Sequence, residues 1–110
     1  MTRRQLPNRR AVETLAFSHG GASTQRFIVS LGRFDDGTPA ELFLNSDGKA
    51  GSDADVNASD GAMAISLALQ HGCPLETLRT ALKRNVDGSA QGPLGHALDL
   101  FAAKKYPERI

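Results

Sequence analysis

Apolar residues recur at every second position up to about residue 45 and at every third or fourth position from about residue 60, a change that predicts strands followed by helices. Val12 to Ser18 alternates loosely around Leu15 and Phe17, and His19-Gly20-Gly21 closes it as a turn. Arg26 to Phe34 is the clearest strand, with Phe27, Val29 and Leu31 on one face and Ile28 and Phe34 on the other. Asp36-Gly37 suits a tight hairpin because glycine takes positive φ without a Cβ penalty, and Pro39 suits an edge strand over Ala40 to Asn45. There Ala40, Leu42 and Leu44 share a face, opposite Glu41, Phe43 and Asn45. A meander of three strands is most simply an antiparallel sheet.

Ser46 to Asp55 is polar and reads as a loop, ending among candidate helix caps Ser52, Asp53, Asp55 and Ser59. The segment from about Asp60 to Gln70 is apolar almost all round, with Met63, Ile65, Leu67 and Leu69 separated by small residues, which predicts a buried helix. Gly72 supplies a left-handed stop, and Pro74 opens a second helix with Leu75, Leu78 and Leu82 inward and Glu76, Arg79, Lys83 and Arg84 outward. Asn85 to Gly92 reads as a loop, Pro93 to Lys104 as a third helix on Leu94, Leu98 and Phe101, and Tyr106 to Ile110 as a frayed end. Strands and helices that segregate predict an α+β fold, a three-stranded antiparallel sheet followed by two to three helices packed on one face. The layout is one domain over 1–110, with a basic arm at 1–10, strands at 11–45 and helices at 53–104. Two sheet edges and an uncovered helix face in so short a chain predict a homodimer.

A length of 110 residues allows one core. No apolar stretch reaches the roughly 18 residues of a spanning helix, and no apolar region follows the Arg-rich start, so a cytoplasmic protein with no membrane partner is expected. The single cysteine, Cys73, excludes an intrachain disulfide and a Cys-rich zinc site. The net charge of +1 conceals an asymmetry: Arg3, Arg4, Arg9 and Arg10 lie in the first ten residues, leaving nine basic against twelve acidic residues elsewhere. Such an arm suits phosphate or nucleic acid, or is a solvated tail, and no aromatic residue is interleaved for base stacking.

Three groups of residues invite a chemical reading. His71-Gly72-Cys73-Pro74 puts an imidazole two residues from the thiol at a helix start, but reads better as a packing corner than as a nucleophile and base. In the loop Asp47 to Asp53, glycines precede a helix N-terminus, so Lys49, Gly51 and Ser52 are the candidates for anion or nucleotide contact, although the P-loop spacing is missing. Arg33, Asp36 and Glu41 suit a cross-strand salt bridge on the hairpin. His19 and His96 lie far apart in sequence and read as separate surface or turn residues. No metal site and no catalytic residue is assigned.

Leu31 to Asn45, LGRFDDGTPAELFLN, and Ala62 to Leu78, AMAISLALQHGCPLETL, together resemble the small TSCPD-type C-terminal domain of adenosylcobalamin-dependent ribonucleotide reductases. The resemblance extends over about Arg3 to Arg84 and includes a turn that in the family runs roughly Gly-acid-aromatic-x-Asp-Gly and here reads Gly32-Arg33-Phe34-Asp35-Asp36-Gly37, a strand, a greasy helix and a Gly-x-Pro joint, although the Cys-Pro-Asp motif is absent as such. RRQLPNRR is similar to the segment joining the reductase body to that domain. The resemblance implies ribonucleoside-diphosphate reductase chemistry, which uses a thiyl radical, further redox cysteines and a large barrel. One cysteine and 110 residues do not supply these. It therefore implies a stand-alone accessory domain acting by binding in deoxyribonucleotide synthesis, on a reductase catalytic subunit or on nucleotide. Adenosylcobalamin enters only by association with a full reductase. The alternative is a small nucleic-acid or phosphate-binding module using the arginine arm, and a third reading is a thiol enzyme using Cys73.

Overall fold

A computed structural model describes residues 2–20, 24–48 and 51–103. Strands β1 (Val12–His19), β2 (Gln25–Arg33) and β3 (Pro39–Ser46) form an antiparallel sheet in that order, followed by α1 (Asp53–Gln70), α2 (Leu75–Ala81) and α3 (Pro93–Ala103). The α+β class and the helices on one face are as the periodicity predicts. Leu15, Val29 and Leu44 stand in one cross-strand row and Phe17 beside Phe27 in another. With Leu31 and Leu42 they form a buried layer against Ala58, Ala62, Ile65 and Leu69 of α1 and Ala97, Leu98 and Phe101 of α3. Leu75, Leu78 and Leu82 pack at its margin, as their spacing requires.

The hairpin turn is set by Asp36-Gly37. Gly37 has φ +88°, its amide donates to Phe34 O at 2.9 Å, and Asp36 Oδ1 accepts from the Thr38 amide at 3.0 Å and its hydroxyl at 2.7 Å. The same turn recurs within Asn85 to Gly92, where Gly88 has φ +89° and Asp87 accepts from the Ser89 amide and hydroxyl. That segment is therefore a tight turn closed by an Arg84–Ala90 bridge rather than an open loop. Alternating side chains did not reveal it because the two flanking arms are too short to show a period.

Helix α1 starts seven residues before the apolar run, at the Ser52 cap, whose hydroxyl accepts from the Asp55 amide at 3.2 Å. It lies along the outer edge of β3. Ser66 Oγ accepts from Leu42 N at 2.8 Å and is 3.0 Å from Leu42 O, Ser59 Oγ donates to Leu44 O, and Gln70 Nε2 donates to Ala40 O. One edge of the sheet is thus occupied by side chains of its own helix, which bars strand addition there. The helix is not buried all round, contrary to its composition: Met63 is 65% and Leu67 43% exposed. A helix laid along a sheet edge buries one stripe only, here Ala58, Ala62, Ile65 and Leu69. It ends with the Gly72 amide on Leu69 O and the Cys73 amide on Ala68 O, a glycine-centred stop that hands over to Pro74.

Arg79 and Arg84, expected to point outward into solvent, converge instead on Asp99 of α3, with contacts of 2.9 and 2.7 Å to its Oδ1. Burial would raise the Asp99 carboxyl, but the two guanidinium groups outweigh it and hold its pKa lowered.

Candidate functional site

The outer face of the sheet, away from α3, carries Glu41 and Phe43, which have no place in the apolar core. At its centre Glu41 is paired in register with Gly32, and a Cβ on Gly32 would lie 2.8 Å from the Glu41 side chain. The missing side chain lets Glu41 lie flat and 6% exposed on the sheet, where it receives the Arg10 guanidinium. Arg10 also donates to Pro7 O at 2.7 Å, which curls the arm back on itself.

The rest of the arm follows the same course. The Arg4 guanidinium stacks 3.9 Å from the centre of the Phe34 ring and forms an ion pair with Asp36 at 3.1 Å. The Arg4 backbone amide donates to Gln70 O at 2.7 Å, and Arg3 Nε donates to Gln70 Oε1 at 2.6 Å. Gln70 therefore joins the arm on one side to the edge of β3 on the other. Of the four arginines expected to form a solvated or phosphate-seeking arm, Arg3, Arg4 and Arg10 are engaged internally, and Arg9 is exposed.

The expected salt bridge among Arg33, Asp36 and Glu41 does not form. Arg33 pairs with Glu13 of β1 at 3.0 Å, while Asp36 and Glu41 take Arg4 and Arg10. Glu41 is paired with Gly32, and after a register shift Arg33 is paired with Pro39, so the acids of the hairpin are left to the arm.

Between the outer side of β3 and α1 lies an open groove of about 290 Å³, with Arg3 and Leu6 of the arm at its border. Its apolar wall is Phe43, Met63 and Leu67, exposed by 55%, 65% and 43%. Its floor is the polar stripe Ser59, Ser66 and Gln70. Ser59 was read in the sequence only as a helix cap and the other two were missed, although their spacing of seven and then four places all three on one face of α1.

The anion candidates are placed differently. Lys49 lies outside the described residues. The Gly51 amide donates to Asp55 Oδ2 at 3.1 Å and the Ser46 amide to Asp55 Oδ1 at 2.9 Å, while Ser52 caps α1. These bonds, the Gly51 one foremost, lower the Asp55 pKa, so the helix start already holds a carboxylate of its own. At the helix joint His71 Nδ1 is 2.8 Å from Leu67 O, and the imidazole is bound back to α1.

His19 and His96, read as separate, are brought together: their Nδ1 atoms are 3.0 Å apart. Sequence distance concealed this, because β1 and α3 meet only in the folded chain. Burial lowers the His96 pKa, with a smaller contribution from His19. Among the described residues, no group of three or more His, Cys, Asp or Glu side chains is placed to hold a metal, and no helix is long and apolar enough to cross a membrane.

The TSCPD domain family matches the chain over residues 1–103. A vitamin B12-dependent ribonucleotide reductase of Agrobacterium fabrum (strain C58 / ATCC 33970) is 38% identical over 74 residues, which is 67% of this chain and 6% of that protein. The chain thus spans a small part of the curated relative it matches. No solved structure matches it.

Proposed function

This chain belongs to the TSCPD domain family, and from that premise we propose that it is an accessory module of deoxyribonucleotide synthesis that acts by binding a separately encoded ribonucleotide reductase polypeptide through the outer face of its sheet. The observation that carries this reading is the groove walled by Phe43, Met63 and Leu67, three large apolar side chains left in solvent beside a fully buried core. Apolar side chains gathered beside satisfied polar groups are what a protein partner covers. Adenosylcobalamin and the radical chemistry belong in this reading to the partner.

The test is titration of the purified chain into the B12-dependent reductase catalytic polypeptide of the same cell, followed calorimetrically. Binding that weakens about tenfold or more in Phe43→Asp and Met63→Asp supports the reading. Absence of a complex, or equal binding by both variants, overturns it, as does self-association of the chain through the same groove. Nucleotides are included in the titration, and a nucleotide-dependent rise in melting temperature with no reductase binding would favour a nucleotide ligand instead.

The alternative, a nucleic-acid or phosphate module on Arg3, Arg4, Arg9 and Arg10, requires three of these to leave internal partners. It predicts oligonucleotide binding at low salt that falls steeply as salt is raised.

A further inference from the structure

The His19–His96 contact joins the end of β1 to α3 and shares no residue with the arm or the groove. His19 Nε2 is 2.9 Å from the Gln91 carbonyl oxygen. A carbonyl only accepts, so this nitrogen carries the hydrogen, and Nδ1 of a neutral His19 is the acceptor. His96 Nδ1–H therefore donates across the 3.0 Å gap. The ring of His96 also packs edge-on against Phe17, with centroids 4.8 Å apart. In this way three elements meet at two imidazoles: the end of β1, the segment after the Asn85–Ser89 turn, and the first turns of α3. Together they line an open polar recess of about 580 Å³.

We propose that the His19–His96 pair is a proton-operated latch, which ties α3 and the turn before it to the end of β1 while at least one ring is neutral and releases them when both are charged. A first proton is accepted at His96 Nε2 without loss of the bond, because Nδ1–H still donates. A second must go to His19 Nδ1, which then faces another N–H at hydrogen-bond distance, and two cations are forced together. The burial that lowers the His96 pKa acts in the same direction.

The other charges nearby keep their state over this range. Asp99, one turn along α3, is lowered and held by Arg79 of α2 and by Arg84 of the segment that follows it. Asp87 in the turn is lowered chiefly by the Ser89 hydroxyl. On β2 the residue paired with His19 is the uncharged Gln25, and its neighbour Arg26 pairs with Asp47. On β1, Glu13 lies at the far end with Arg33. The two imidazoles are thus the groups here that the latch requires to take up protons.

The experiment is a titration of the whole chain from about pH 7.5 to about pH 5, with imidazole protonation and amide exchange read by NMR. The latch requires two coupled imidazole steps, and amide exchange over residues 85–98 that rises about tenfold or more with the second step while β2 and β3 stay protected. The melting temperature should fall with acid in the wild type, and by less than half as much in His96→Phe, which keeps the packing on Phe17 but cannot titrate. Independent single steps with no change over residues 85–98, or an equal acid loss in His96→Phe, would overturn it. Should that variant not fold, the wild-type titration decides alone.

Discussion

Leu15, Val29 and Leu44 stand side by side across the inner face of the sheet and are excluded from solvent, whereas one residue away Thr14, Ser30 and Phe43 form the matching row on the outer face, where Phe43 is 55% exposed. The inner row is closed by helices. The outer row is crossed by a hydrogen bond between the Thr14 and Ser30 hydroxyls and bordered by an arm held through charge and stacking. The same three strands thus carry a face whose residues are fully used in folding and a face that retains apolar surface, which is why the second is where a partner is sought.

That contrast is sharpest in what substitutions should do. Phe17→Ala, on the inner face and 2% exposed, should cost about 3–5 kcal/mol, read as a fall in the denaturant midpoint at unchanged slope. Ser66→Ala should cost about 1–3 kcal/mol, because the Leu42 amide and carbonyl lose their partner at the sheet edge. A loss below a few tenths would mean that water replaces the hydroxyl and that the edge is wet.

The arm gives a smaller effect of a different kind. Glu41→Gln should cost about 1–2 kcal/mol and speed tryptic cleavage after Arg9 and Arg10, since the docked guanidinium is released. Its acid dependence follows from Asp36, whose pKa is lowered to about 2, first by the Thr38 hydroxyl, then by the Thr38 amide, with Arg4 contributing less. A carboxyl lowered on folding stabilises the native state above its unfolded pKa and loses that contribution as pH falls through about 2. Arg4 and Thr38 NMR shifts should therefore hold steady down to about pH 4 and move between there and about pH 2. Movement centred near the usual carboxylate value would show that the Thr38 bonds to Asp36 do not form.

Phe43→Ser should have the least effect on folding, within about 0.5 kcal/mol, measured by the same denaturant midpoint. A large loss would show that this side chain is part of the core and not a contact surface.

Much of this architecture was legible in the residues. The alternation of Phe27, Val29 and Leu31 marked β2 and its buried face, Asp36-Gly37 marked the hairpin, and Gly72 with Pro74 marked the break between α1 and α2. These are local codes: a glycine needed for positive φ, or a period set by backbone geometry, works whatever else the chain does. The candidate site was less legible. The arginine arm was visible as charge, but the partners of Arg3, Arg4 and Arg10 lay 67, 32 and 31 residues away, at Gln70, Asp36 and Glu41. The apolar composition of α1 suggested complete burial, because composition does not tell whether a helix lies over a sheet or along its edge.

The sequence by itself determined three strands, three helices, the hairpin turn, the glycine stop after α1 and which strand face is apolar, since each depends on near neighbours and on water. Only the tertiary structure decided that Ser59, Ser66 and Gln70 close the β3 edge, that the arm folds back on the hairpin acids, and that His19 meets His96 across 77 residues. Such pairings depend on where packed elements bring distant side chains, and a hydrogen bond or an ion pair forms only at a distance that packing, not composition, sets.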